Sequence, residues 1–249
     1  MGKLEGKIAL VTGSGRNIGR ATVLQLAREG ANVVVNARSN QAEADAVVRE
    51  AQALGVKALA IIADMGRKDQ VEAMAAKALS EFGRVDILIN NAAIRPHKPF
   101  TEVTAEDWEA VRGVVLDGAF YLTRAVIDAM VKNKYGRILF FTGEGAFTGG
   151  KGRAHVSAAK MGLVGFARAL ASEFAEHNIR VNVVSPGSID TRRANPEWYQ
   201  GHAPNAAGIP LGRQGKPDEI AATCLFLVSD DGGFITGQTI HVNGGAAYY

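Results

Sequence analysis

Short runs rich in β-branched residues alternate with longer amphipathic ones along almost the whole of this 249-residue chain. Parallel neighbours need a crossover of a dozen or more residues, usually a helix, so this alternation points to a parallel sheet covered by helices on both faces. Strands are expected near 7–12, 31–36, 56–63, 85–90, 136–142, 179–185 and 238–242, and helices near 17–29, 40–54, 67–82, 104–133, 154–177 and 217–229. Seven strands joined in this way predict an α/β fold, a doubly wound, Rossmann-like, seven-stranded parallel sheet. Thr104 before AEDWEAV and Pro217 before DEIAATCLFL are helix-start signals. One domain over 1–249 is expected, because a chain of this size buries roughly 70–75% of its unfolded surface.

The rhythm breaks once. Between Pro186 and Lys216 the chain has four of its seven prolines, Trp198 and Tyr199, and no period. A structureless stretch of that length inside a compact domain is usually a binding segment, so 187–216 is read as a substrate loop or lid, with a tolerated surface excursion as the alternative.

Composition removes several function classes. Apolar residues make up 47% and charged residues 21%, which excludes a disordered or fibrous chain. The net charge of +3 is scattered, so no nucleic-acid partner is expected. No run of about 18 apolar residues occurs, so no membrane span is expected. MGKLEGKIALVTG enters a strand without a basic segment and an apolar one ahead of it, which predicts a cytoplasmic protein. The lone cysteine, Cys224 in AATCLFLV, is read as buried packing. No metal is expected.

The first strand runs into VTGSGRNIGRA, which sets Gly13, Gly15 and Gly19, with Arg16, Asn17 and Ile18 between them, at a strand-to-helix turn. Small residues let backbone approach a pyrophosphate, and the helix N-terminus offers unpaired N–H groups to the anion. TGSGRNIG resembles the glycine turn of the short-chain dehydrogenase/reductase family, and the likeness extends over the whole chain. NNAA at 90–93, Asp64 in IIADM, SPG at 185–187 and VNGG at 242–245 are each similar to a family segment. The resemblance implies dinucleotide binding through the turn, Asp64, Asn90, Pro186, Gly187 and Lys160. Asn17 stands where the family has its middle glycine, and asparagine tolerates the left-handed conformation better than most residues.

The second strand chooses the cofactor. NAD-selective folds place an acid there for the ribose 2′-hydroxyl, whereas a 2′-phosphate needs cations. In VVVNARS that position is Ala37, followed by Arg38, and Arg16 lies in the glycine turn. NADP is favoured over NAD.

Carbonyl reduction also needs a positioned acid. The resemblance implies a tyrosine one helical turn before a lysine, a serine ending the fifth strand, and an asparagine on the long helix before it. Only Lys160 survives: the tyrosine position is Val156, the serine position Gly143 and the asparagine position Val115. A branch of the family that reduces dienoyl thioesters also lacks the tyrosine, so the losses do not by themselves mean inactivity. The substitute acids considered are Glu144, His155, Ser157, Asp117 and Tyr199. Glu144 directly follows the vacant serine position and is preferred, provided an apolar pocket raises its pKa. His155 lies about 140° round the helix from Lys160 and is expected to point elsewhere.

Arg95, His97 and Lys98, with Lys151 and Arg153, could receive an anionic small molecule or form a solvated rim. The resemblance further implies a homotetramer built through the helices at 104–133 and 154–177. The leading expectation is hydride transfer to a small carbonyl, imine or conjugated substrate. An NADP(H)-binding protein without turnover, a sensor or assembly subunit, is the alternative.

Overall fold

The computed structural model describes residues 2–191 and 206–249. Its seven strands are β1 (Ile8–Val11), β2 (Asn32–Ala37), β3 (Ala58–Ile62), β4 (Ile87–Asn90), β5 (Gly136–Phe141), β6 (Ile179–Pro186) and β7 (Thr239–Val242). They form one sheet in the order β3-β2-β1-β4-β5-β6-β7, with every neighbouring pair parallel. The fold class read from the alternation is the one observed.

Because side chains alternate across a strand, each central strand serves two cores. Leu10, Val34, Leu88, Ile138, Phe140 and Val183 contribute to one apolar cluster, while Ala9, Val11, Val33, Ile87, Leu139 and Val184 contribute to the other. The first cluster is completed by α3 (Lys68–Phe82), α4 (Ala105–Arg112), α5 (Gly118–Asn133) and α7 (Ala154–Phe174). The second is completed by α1 (Asn17–Arg28), α2 (Gln41–Ala53) and α8 (Pro217–Val228). Cys224 is fully buried in that second cluster, and burial pushes its thiol up to about 12, which makes it a packing residue.

Both helix-start signals act as read. Thr104 closes a capping box with Asp107 ahead of α4, and Pro217 opens α8. The helix expected over 104–133 is two helices joined by a π-helical stretch, Gly113–Asp117. Gly118, just after it, packs so close to the chain that an added Cβ would meet the Met65 carbonyl at 2.3 Å. A short helix without apolar periodicity, α6 (Glu144–Thr148), follows β5 and was not legible as a helix.

The segment at 187–216 has a closed base. Asp190 N donates to the Gly215 carbonyl at 2.8 Å, Gly215 N donates to Ser188 at 3.0 Å, and Gln214 reaches Ser188 Oγ at 2.8 Å. Trp198 and Tyr199 lie outside the described residues. No helix among the described residues is long and apolar enough to cross a membrane.

Candidate active site

In the observed strand order the chain winds in opposite directions from the boundary between β1 and β4, and open α/β sheets bind ligands at such a switch point, beyond the carboxyl ends of the strands. A cleft of about 520 Å³ opens there. Its wall includes Gly13, Gly15, Arg16, Asn17, Ile18 and Gly19 from the turn, then Arg38 and Asp64, and at the far end Lys160, Pro186 and Gly187.

The glycine turn has the geometry its sequence requires. Gly13 has φ +61° and Asn17 has φ +51°, so asparagine occupies the left-handed region at the position where the sequence departs from the family. An added Cβ on Gly19 would meet the Gly13 carbonyl at 2.4 Å. Arg16 precedes α1, and its side chain makes no capping hydrogen bond to the start of that helix. A cleft with an uncapped helix start and room only for glycine at its closest approach suits a pyrophosphate.

Two residues that sequence reading missed build this turn. Asn36 accepts from Gly13 N at 3.0 Å and donates through its amide to Ile61 and Ala63 carbonyls at 3.2 and 3.1 Å. Its signal was a polar residue inside the apolar strand VVVNA. Asn91 donates to the carbonyls of Thr12 and Gly13, while Thr12 Oγ1 accepts from Asn91 N and Ala92 N, both at 3.0 Å. Asn90, the residue read from NNAA, is buried, and its side-chain amide has no hydrogen-bond partner among the described residues.

At the end where Arg16 and Arg38 line the cleft, Ala37 offers only a methyl group. Glu43, from the first turn of α2, also lines this end, and its carboxylate comes within 3.7 Å of where a Gly15 Cβ would sit. Sequence reading looked for an acid at the end of β2 and overlooked one a helical turn beyond it.

Lys160 is buried, and its Nζ donates to the carbonyl of Phe141, the last residue of β5. Burial, followed by the charge of Arg95 across the cleft, lowers its pKa to about 7. One turn earlier on α7, Val156 is buried in the first apolar cluster together with Val115, which lies within the π-helical stretch. Gly143 is on the cleft wall in extended backbone, and a Cβ there would find only the Pro186 carbonyl, at 3.8 Å.

The substitute acids are dispersed. Glu144 has its carboxyl raised by burial, and Oε2 lies 2.9 Å from where a Gly187 Cβ would sit, but Glu144 is not itself among the residues lining the cleft. Asp117 is bound by Arg112 at 2.9 Å. Ser157 Oγ donates to the Gly145 carbonyl at 3.3 Å. His155 is buried, with burial as the main cause of its lowered pKa, and neither ring nitrogen has a hydrogen-bond partner among the described residues. Tyr199 lies outside the described residues.

The basic residues do converge. Arg153 donates to the Arg95 carbonyl at 2.6 Å, Lys98 N donates to Gly152 at 2.9 Å, and the His97 ring packs on Gly152. The loop after β4 and the loop before α7 therefore form one rim, in which Lys98 is paired with Asp107.

Sheet order, turn and cleft define a Rossmann-like dinucleotide fold. Residues 13–247 match the family model described as enoyl-(acyl carrier protein) reductase. Over its full length the chain is 41% identical to a 3-oxoacyl-[acyl-carrier-protein] reductase of Synechocystis, covering all of that protein. It is 39% identical to the BbsD subunit of (2S)-[(R)-hydroxy(phenyl)methyl]succinyl-CoA dehydrogenase from Thauera aromatica, over 99% of this chain and 98% of that one. A crystal structure from Sinorhizobium meliloti, assigned as a short-chain alcohol dehydrogenase, superposes with a TM-score of 0.92 at 32% identity, over 98% of this chain and 97% of that one. The chain belongs to the short-chain dehydrogenase/reductase family of oxidoreductases.

Proposed function

We propose that this protein is an NADP(H)-dependent reductase with a non-standard active site. It would hold the dinucleotide through Gly13, Gly15, Arg16, Asn17, Ile18, Gly19, Arg38, Asp64, Lys160, Pro186 and Gly187, which line the cleft, whereas the expected Asn90 is buried off that wall. When bound, the dinucleotide supplies a hydride to an electrophilic carbon. Arg16 and Arg38 beside the methyl group of Ala37 support the phosphorylated form, because they offer charge where a 2′-hydroxyl would want an acceptor.

The observation that carries the reading is an intact cradle joined to a reaction end made of hydrocarbon. Val156 and Val115 withdraw into the core and Gly143 leaves the wall bare, while Lys160 remains. A missing general acid costs about 10²- to 10⁴-fold in rate and leaves binding of the dinucleotide untouched. The substrate class is a small carbonyl, imine or conjugated compound. The relatives' names span two such reactions: an enoyl reductase reduces a carbon–carbon bond, and a 3-oxoacyl reductase reduces a carbonyl. Arg95 on the cleft wall, with Lys151 and Arg153 on the adjoining loops, favours a substrate with an anionic group. The chain closed by the Ser188–Gly215 base would cover it, and a homotetramer of the family type would present the site.

The same hydrocarbon end also favours a second reading, an NADP(H)-binding protein without turnover. Fluorescence titration with NADPH comes first, followed by Val156→Tyr combined with Gly143→Ser, checked for folding by circular dichroism. Reduction of a panel of carbonyls, imines and enones by the parent supports the reductase. Binding without turnover in the parent, with activity appearing only in the double variant, supports the binding protein.

A further inference from the structure

At the end of the cleft bounded by β5, β6 and the loop after β4, the polar residues on the described wall are Asn91, Arg95, Thr142, Lys160 and Thr191. A proton donor must lose its proton near the working pH and regain it. The Asn91 amide does not titrate and is committed to the Thr12 and Gly13 carbonyls. Arginine stays protonated throughout the accessible range, and threonine hydroxyls do not ionise near neutrality. Glu144 adjoins Gly187 but does not line the cleft. One titratable group remains.

We propose that Lys160 is itself the proton donor, delivering an Nζ proton to the substrate oxygen. This rests on the reductase reading above. The substrate carbon gains a hydride from the reduced dinucleotide, the C=O π pair moves to oxygen, and that oxygen forms its O–H bond with the Nζ proton. The N–H bond breaks towards nitrogen, and the neutral amine takes a proton back from solvent.

The Phe141 carbonyl engages one of the three donors of the ammonium group, which anchors it at the end of β5 and leaves two to be directed into the cleft. Val156, one turn earlier, places no hydroxyl between this amine and the substrate space. An ammonium group titrating at the ordinary 10.5 would be a poor acid at neutral pH, whereas burial and Arg95 bring this one to about 7, matched to the task.

The test uses the full-length protein with NADPH, binding being checked first by fluorescence. Isotope-labelled lysine side chains are titrated by NMR between about pH 6 and pH 10 in the complex, with Lys160→Arg assigning the signal. Single-turnover reduction of para-nitrobenzaldehyde is followed over the same range. The expected result is a Lys160 midpoint near 7 and a rate that falls as pH rises through it. Lys160→Arg, measured at NADPH concentrations that saturate the variant in its own titration, is expected to lose ~10²- to 10⁴-fold in rate, together with the pH limb. An ordinary lysine midpoint overturns the proposal, as does aldehyde reduction whose rate Lys160→Arg leaves unchanged. Persistence of the limb in Lys160→Arg with its loss in Glu144→Gln or Tyr199→Phe also overturns it. Failure to bind NADPH, or binding without turnover of any carbonyl, imine or enone, is separate from these, since it removes the reductase reading itself.

Discussion

Asn91 holds Gly13: its side-chain amide donates to the Gly13 carbonyl at 3.0 Å and to that of Thr12 at 2.9 Å, tying the end of β4 to the turn after β1. These carbonyls sit in part-buried surroundings, where an acceptor left unpaired costs about 1–3 kcal/mol. Asn91→Ala is expected to lose stability of that order in urea denaturation and to weaken NADPH binding about tenfold. Asn91→Asp should be worse, because a carboxylate would face two carbonyl oxygens.

Two glycines on the cleft differ in what they tolerate. A methyl group at Gly19 would stand 2.4 Å from the Gly13 carbonyl and 2.7 Å from Ser14 Cα, both backbone atoms. Gly19→Ala is expected to cost about 1–3 kcal/mol and to abolish detectable NADPH binding by calorimetry. At Gly143 the nearest atom is 3.8 Å away and the backbone is extended, so Gly143→Ala should shift stability by less than about 0.5 kcal/mol. A destabilised Gly143→Ala would contradict the open wall described here.

Glu43 sets a counter-charge beside Arg16 and Arg38. Removing it should leave the two arginines a stronger field for a 2′-phosphate. Glu43→Gln is expected to raise the preference for NADPH over NADH by roughly three- to tenfold, about 0.7–1.4 kcal/mol. Parallel fluorescence titrations with the two dinucleotides check this, and an unchanged ratio would place Glu43 outside the selectivity of the site.

Lys160 also makes stability depend on pH. Its folded pKa, about 7, lies below the ordinary 10.5, so between those values the unfolded chain binds more protons and stability rises with pH. Below about 7 the lysine is charged in both states, and the cost of burying that charge is fully present. Lys160→Met should therefore stabilise the protein most at pH 6, by up to a few kcal/mol, with the gain shrinking towards pH 10. Urea midpoints measured across that range, with and without the substitution, provide the check.

The strands were legible because a parallel sheet buried on both faces writes itself as β-branched runs with helix-length spacers, as in IALV and ILIN. Thr104 and Pro217 were legible because capping chemistry is local. The π-helical stretch was not, and the close packing of Gly118, just after it, on Met65 in the β3–α3 connection is a contact made only in space. Asn91 escaped for a related reason. Adjacent asparagines in NNAA look alike until the chain places one under the glycine turn and the other in the core.

The linear order of residues determined the sheet, the glycine turn with Asn17 in it, the absence of a tyrosine one turn before Lys160, and the two arginines near the second strand. All of these are properties of residue type and short-range spacing. Tertiary structure alone decided that Glu43 joins those arginines, that Glu144 adjoins Gly187 without lining the cleft, and that Lys160 is buried against Phe141 within the field of Arg95. Burial and Coulomb fields depend on distance through space, and residues 65 positions apart in the chain acquire such a distance only when the sheet closes.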